Sequence, residues 1–387
     1  MTDQNFDFLI IGGGLAGCAL AYYLVKTGAS VLLLEAKSIC SGTTAACAGR
    51  AQIIESETID YLKLVINGYS NLPNLGQELE TDLDWETRGH LTLINNQEQW
   101  KANEQFVLNL NRLNIPAKML DAKELLKIEP NINSNECLGA AYSQEGHLNP
   151  FKLCFGFAHA AQKKGAKFLI NSEVNGFIRE GTRIIGVRVE QSNYYGGSIL
   201  VATGAWTAQI TEMIGQAVPI LHTHAEAIVS EPIQKIINHH IGVSGFYETV
   251  HGSRRTVTFG VGQHSNGSLV ISNAIQPEEL INLRSSSWGM PAIVKTFLNF
   301  FPQLGNLRVL RTWAAPSPFS ADHLPIIGRL PNFDNVFVAA GFHLAIPTIP
   351  LLAEEIAKSL TESDFKESSL LSPFSPNRFL PKVFNPG

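Results

Sequence analysis

The chain has 387 residues, 45% of them hydrophobic and 16% charged, a globular composition that is too long for one compact core and shows no sign of disorder. A formal net charge of −5 without any basic block removes the electrostatic footprint that nucleic-acid binding needs, so no polynucleotide partner is expected. Five scattered cysteines, Cys18, Cys40, Cys47, Cys137 and Cys154, have no metal-ligand spacing and an odd count; this argues against a disulfide framework, implies no metal site and favours a reducing, cytoplasmic compartment.

The stretch 8–25 is uncharged and on that ground alone would pass for a leader or a short membrane span. Asp3 and Asp7 stand where a leader would be positive, glycines 12 to 14 interrupt the run, and a second strand pattern follows directly. No leader or transmembrane segment is therefore expected. Residues 6–11 read as a parallel strand buried on both faces. Gly12-Gly13-Gly14-Leu15-Ala16-Gly17 then satisfies G-x-G-x-x-G. Gly12 permits the tight turn, Gly14 lets the backbone approach a pyrophosphate, and Gly17 lets helix and strand pack closely. A helix over 18–27 with Gly28 as its stop would aim its N-terminal amides, those after Leu15 and Ala16 included, at the phosphates. Residues 30–34 form the second strand. Glu35, 18 residues beyond Gly17, ends it where a carboxylate, with Ala36 and Lys37 beside it, binds the adenosine ribose hydroxyls and disfavours a 2′-phosphate.

Farther along, 61–80 and 97–113 are helical in pattern, with a strand at 90–94 between them. Short strands are expected at 166–170 and 183–190, and a buried one over 199–203 that ends in Gly204. Region 218–312 is mostly strands; the Asn266-Gly267 pair marks a hairpin between 256–262 and 268–273. His222 and His224 share a strand face, but with no third ligand in view they are read as ordinary residues. A strand at 336–340 ends in Gly341. A helix over 350–360 buries the stripe Leu351, Leu352, Ile356 and Leu360. The tail from 361, rich in Ser, Pro and Phe, reads as an extended surface strap.

Three separated segments resemble the D-amino-acid oxidase superfamily of FAD enzymes, which includes glycine oxidase, sarcosine oxidase and the beta subunits of opine dehydrogenases. They are the glycine turn extended through Cys40-Ser41-Gly42-Thr43-Thr44-Ala45-Ala46; Ile199-Leu200-Val201-Ala202-Thr203-Gly204-Ala205-Trp206; and Asp322-His323-Leu324-Pro325-Ile326-Ile327-Gly328 with Asn335-Val336-Phe337-Val338-Ala339-Ala340-Gly341-Phe342-His343. The resemblance implies an α/β chain with a Rossmann-like FAD-binding domain on a parallel sheet (1–50, 146–215 and 320–362). An interleaved substrate domain (51–145 and 216–319) would be built on a mixed, largely antiparallel sheet that roofs the flavin, followed by a tail over 363–387. It also implies noncovalent FAD held through Ser41, Thr43, Thr44, Thr203, Gly204, Trp206, Gly328, Gly341, Phe342, His343 and Leu344, with the backbone of Val174 bracketing the adenine. The last helix would aim its positive end at the flavin pyrimidine.

The activity so implied is oxidation of the C–N bond of a small amino or imino acid, with hydride transfer to flavin and O2 or another acceptor taking the electrons. Carboxylate recognition calls for an arginine fork. Many members place that arginine directly before the last proline of the segment matching 311–318, where this chain has Ser317. Arg50, following the loop that crosses the flavin, is the leading replacement, and sarcosine oxidases carry an arginine in the comparable stretch. Arg254 or Arg255 is second, and His343 is a candidate contact to flavin or substrate. Two other readings stay open, a flavin-binding subunit of a heteromer with little activity alone and an NAD-dependent dehydrogenase, and a homo-oligomer is open as an assembly.

Overall fold

The computed structural model describes residues 5–53, 58–245, 254–342, 344–362 and 367–380. In chain order the elements used below are β1 (Asn5–Ile11), α1 (Leu15–Lys26), β2 (Val31–Leu34), α2 (Thr43–Ala46), β3 (Arg50–Ala51), α3 (Ile59–Glu78), β4 (His90–Ile94), α4 (Gln97–Arg112), β5 (Ala117–Asp121), α5 (Ala122–Ile128), β6 (Gly139–Ser143), β7 (Gly146–His147), α6 (Pro150–Lys163) and β8 (Lys167–Leu169). They continue with β9 (Val174–Glu180), β10 (Arg183–Val189), β11 (Ser192–Val201), α7 (Thr207–Glu212), β12 (Ile220–Ser230), β13 (His240–Val243), β14 (Thr256–Gln263), β15 (Leu269–Pro277), α8 (Gly289–Phe300), β16 (Val309–Ser320), β17 (Ile326–Arg329), β18 (Val336–Ala340) and α9 (Ala345–Thr361).

The first sheet runs β17-β18-β11-β1-β2-β8, with β10 and β9 attached beyond β11. Its centre, β8 to β18, is parallel, and β17, β10 and β9 are antiparallel additions. The all-apolar β1 and β2 bury both faces, as parallel strands between two layers must. One face packs on α1, α3, α6 and α9, and the other on Val174, Ile184, Val187 and Phe333. The second sheet runs β16-β12-β15-β14-β13-β4-β6-β5; it is antiparallel except for β13 on β4. The mixed, largely antiparallel sheet expected from the resemblance is thus present. A two-stranded ribbon pairs β3 with β7, Arg50 opposite His147.

Several local expectations shift. The last helix begins at Ala345, not 350. Pro347 lies in the first turn, where a missing N–H costs nothing, and Pro350 removes one interior bond that burial of the helix offsets. Region 218–312 also contains α8, whose Ile293, Phe297 and Phe300 are buried at helical spacing against the second sheet. Over 367–380 the tail is not an extended strap. It forms two 3₁₀ turns, anchored by buried Leu371 and Phe374 and by an Arg378–Asp322 ion pair at 2.7 Å. Among the described residues no helix is long and apolar enough to cross a membrane.

Candidate active site

The glycine turn lies at the carboxyl end of β1, where strand order departs in both directions, to β2 on one side and β11 on the other. Open α/β sheets bind ligands at this kind of crevice. Gly12 has φ +108°, and a Cβ there would sit 2.5 Å from the Ala202 carbonyl oxygen; a Cβ on Gly17 would overlap the Gly12 carbonyl. A Cβ on Gly14, by contrast, would meet only Thr44 Oγ1, at 3.3 Å. Gly14 therefore faces open space, as close approach of a pyrophosphate requires. The N-cap residue of α1, Gly14, has no side chain to cap it and the first turn carries no acid, which leaves the dipole at this end free of a carboxylate. The Leu15 amide donates to Thr44 Oγ1 at 3.1 Å.

Glu35 is held against this turn, accepting from Gly13 N at 2.6 Å and from Lys37 N at 2.8 Å; Ala36 and Lys37 are exposed beside it. The second and third segments converge on the same place. The Trp206 ring lies where a Cβ on Gly42 would touch it at 3.4 Å, and Thr203 hydrogen-bonds Thr207 at 3.2 Å. Gly204 (φ +53°) has nothing near its Cβ position, and Gly341 (φ +67°) lies against Ile220 of the second sheet. Leu344, left-handed at φ +53°, caps α9, with Phe342 packed on the same core. Ser41 is exposed, and Val174 opens β9 buried beside Leu34. Gly328 lies in β17, with Glu367 and Pro376 of the tail around its Cβ position. His343 lies outside the described residues.

The second sheet stands over the loop leaving the turn. Thr43 Oγ1 donates to the Pro316 carbonyl at 3.0 Å, and Trp313 Nε1 to the Ala46 carbonyl at 3.3 Å. One face of this sheet is apolar, with Leu91, Leu93, Ile241, Phe259 and Val261 packed on α8. Alternation then sends His90, His240, Thr258 and glycines 242, 260 and 262 to the opposite face. Arg50 and His147 of the small ribbon meet that face. The His147 ring stacks on His240 at 4.9 Å and lies edge-on to His264 at 4.7 Å, while its Nε2 bonds the Ala48 carbonyl at 3.0 Å. Arg50 Nη2 approaches Glu145 Oε2 at 3.4 Å.

The cluster contains buried polar atoms without partners: Arg50 Nε, His90 Nδ1, His240 Nε2, Thr258 Oγ1 and His264 Nε2. So many orphaned groups on one face point to a polar ligand, because burying them unpaired is costly. Burial, and next the charge of Arg50, pushes the His90 imidazole well below its ordinary value; burial, then His147 and Arg50, does the same to His240. His147 is lowered to about 4, by burial and then His264. These rings are neutral at neutral pH. Among the described residues no group of three or more His, Cys, Asp or Glu is placed to hold a metal ion.

The family model for FAD dependent oxidoreductases (DAO) matches residues 7–359. The chain belongs to that family. This oxidoreductase takes FAD as its cofactor, and the residues present fit it, with the open Gly14, the acid-free first turn of α1 and the Glu35 carboxylate each where the ADP half needs them. The chain is 26% identical over 349 residues to the sarcosine oxidase subunit beta of Rhodobacter capsulatus, covering 88% of this chain and 80% of that one. Its fold is similar to that of L-proline dehydrogenase from P. horikoshii (TM-score 0.85, 24% identity, 97% and 98% coverage). It is equally similar to that of glycine oxidase from Geobacillus kaustophilus (TM-score 0.85, 21% identity, 98% and 100% coverage).

Of the three arginine candidates, Arg50 joins the cluster. Arg254 is exposed two residues before β14, and Arg255 lays its guanidinium over Trp288, 4.9 Å from the ring centroid and on the α8 side. The sequence reading missed His90, His147, His240, His264 and Glu145. One signal was available: glycines at alternate positions of β14, which mark close approach of another group to that strand face.

Proposed function

We propose that this FAD-dependent oxidoreductase oxidises the C–N bond of a small amino or imino acid of the glycine, sarcosine, D-amino-acid or opine type, with Arg50 binding the substrate carboxylate. The observation carrying this reading is the placement of Arg50. It ends the loop that leaves the glycine turn, its Nε is buried without a partner, and its charge acts on the His90 and His240 rings. The flavin accepts the hydride from the carbon bearing nitrogen. The chain's own part is to fix that carbon by its neighbouring carboxylate and to keep water out. The relatives named above act, by name, on sarcosine, proline and glycine; all three carry nitrogen on the carbon next to a carboxylate, as primary or secondary amines. We read the nucleotide domain as 1–50, 146–215 and 320–362, and the substrate domain as 51–145 and 216–319.

The test is the visible spectrum of the purified chain, then anaerobic addition of glycine, sarcosine, proline isomers, D-amino acids and opines in turn. Bleaching by one class is expected. Arg50→Lys, which loses the planar fork, is expected to raise KM at least about tenfold. Bound flavin that none of these compounds reduces would sink the reading. A second reading, a flavin subunit that works only within a heteromer, is favoured by the beta-subunit relative; activity that appears only with co-purified partners supports it, and a fully active isolated chain excludes it.

A further inference from the structure

We propose that residues 367–380 act as a clasp that holds the second sheet over the nucleotide crevice, with Arg378 as the positioning residue that keeps FAD from leaving. This role concerns the cofactor and is independent of which amine is oxidised.

The chain passes from the second sheet to the first through residues 321–325, between β16 and β17. β16 is an edge strand of one sheet and β17 of the other. Where this crossover begins, it touches the crevice: a Cβ on Gly341, just beyond the carboxyl end of β18, would stand 3.0 Å from Ile220 Cδ1 and 3.7 Å from Ser320 N. β18, β11 and β1 are parallel neighbours, so Gly341 lies along the same edge as Gly204 and the glycine turn, where ligands of such sheets sit. How the crossover is held therefore decides how the end of β16 stands over that edge.

The crossover is wound around one carboxylate. Asp322 Oδ1 accepts from Ser320 Oγ at 2.8 Å and from Leu324 N at 3.3 Å, and the Ser320 carbonyl accepts the His323 amide at 3.0 Å. Arg378 closes it from outside. Its Nε donates to Asp322 Oδ2 at 2.7 Å, and its Nη2 to Asp322 Oδ1 at 3.0 Å and to the Leu324 carbonyl at 3.1 Å. Its Nη1 donates to the Phe374 and Ser375 carbonyls at 2.6 and 3.2 Å. Every N–H of the guanidinium is thus used, on the crossover and on the tail's own turn, through a planar fork that a lysine lacks.

The bed for this segment is prepared. A Cβ on Gly328 of β17 (φ +139°) would stand 2.8 Å from Glu367 Oε1 and 3.0 Å from Pro376 Cδ, so β17 gives up a side chain where the tail lies. Leu371 and Phe374 are buried in the core shared with α1 and α9, Phe374 lies edge-on to Tyr61 of α3 at 6.1 Å, and Glu367 accepts from Ser375 Oγ at 2.8 Å. With the tail fixed in this way, Arg378 is an anchor for the crossover and not a side chain free to swing. The middle of β16 is tied to the loop leaving the glycine turn by the Thr43 and Trp313 contacts; Arg378 secures its end. Loss of Arg378 leaves the Asp322 carboxylate without its cation and the end of β16 free to lift from Gly341.

The experiment follows FAD release from the loaded full-length chain, by the rise of flavin fluorescence on dilution, beside the melting temperature of the FAD-free chain. Arg378→Gln is expected to release FAD at least about fivefold faster, with FAD-free melting within about 5 °C of the wild type. Arg378→Lys, which restores the charge without the fork, is expected to recover part of the difference. Asp322→Asn is expected to match Arg378→Gln, and the double variant to release FAD no faster than either single one, because each removes the same contact. Unchanged release in whichever of Arg378→Gln and Asp322→Asn folds overturns the clasp. So does a double variant whose acceleration is the product of the two single ones, and so does a larger fall in FAD-free melting, which would mark general loosening of the fold.

Discussion

Three glycines in one turn do three different jobs, and their surroundings tell them apart. Gly12 is held by a left-handed φ and the Ala202 carbonyl, Gly17 by the Gly12 carbonyl, and Gly14 by nothing within the protein except Thr44. Gly17→Ala is expected to cost about 3 kcal/mol or more, since backbone has to move to admit the methyl. Gly14→Ala is expected to cost about 1 kcal/mol or less in the flavin-free chain, yet to weaken FAD binding at least about tenfold, because the methyl enters the space of the pyrophosphate. Thermal melts of the FAD-free variants and FAD titrations check both halves; equal losses of stability in the two would remove the distinction. The same logic, an absent Cβ reporting on what must come close, identifies glycines 242 and 262 as seats for the His90 and His240 rings.

At the scale of elements, α3 and α9 cross closely in the core they share with α1. Gly68 of α3 lies so close to Pro347 in the first turn of α9 that a Cβ would overlap the Pro347 carbonyl. The approach lets α9 bury Ile346, Ile349 and Leu352 in the core shared with α1 and fixes where its N-terminus points. Gly68→Ala is expected to destabilise the chain by about 2 kcal/mol and to speed FAD release by displacing the start of α9; a variant with wild-type melting and FAD retention would show that the crossing has slack. Other elements close themselves locally. Asp121 and Glu124 form a reciprocal capping box on α5, and Thr58 accepts the Tyr61 amide at the start of α3.

For the whole molecule, the buried histidines tie stability to pH. His147 has a folded value of about 4 against an ordinary 6.5, so the unfolded chain binds the extra proton first. Its contribution is fully present above pH 6.5 and is lost as pH falls towards 4, on the order of 3 kcal/mol over that interval. His90 and His240 act in the same direction. The melting temperature is expected to fall steadily from pH 6.5 to 4.5, and less steeply in His147→Gln. A level profile through that window in the wild type would mean that the rings are hydrated or already charged in the folded protein.

The nucleotide half was legible in the sequence because its signals are local: an apolar strand, a glycine turn, a helix and an acid follow one another within the first 35 residues, and each constrains its neighbours by backbone geometry alone. The hairpin at Asn266-Gly267 and β4 were legible for the same reason. Arg50 could be nominated because it follows directly on that turn and its loop. The cluster it joins could not, since His90, His147, His240 and His264 come from four separate strands or turns and are ordinary residues wherever each is read singly. Strand order and register put them on one face, and only that face, set over the loop by the Thr43 and Trp313 contacts, makes neighbours of groups up to 214 residues from Arg50. Local chemistry determined the glycine turn and the helix that follows it; long-range pairing alone decided which side chains gather around Arg50.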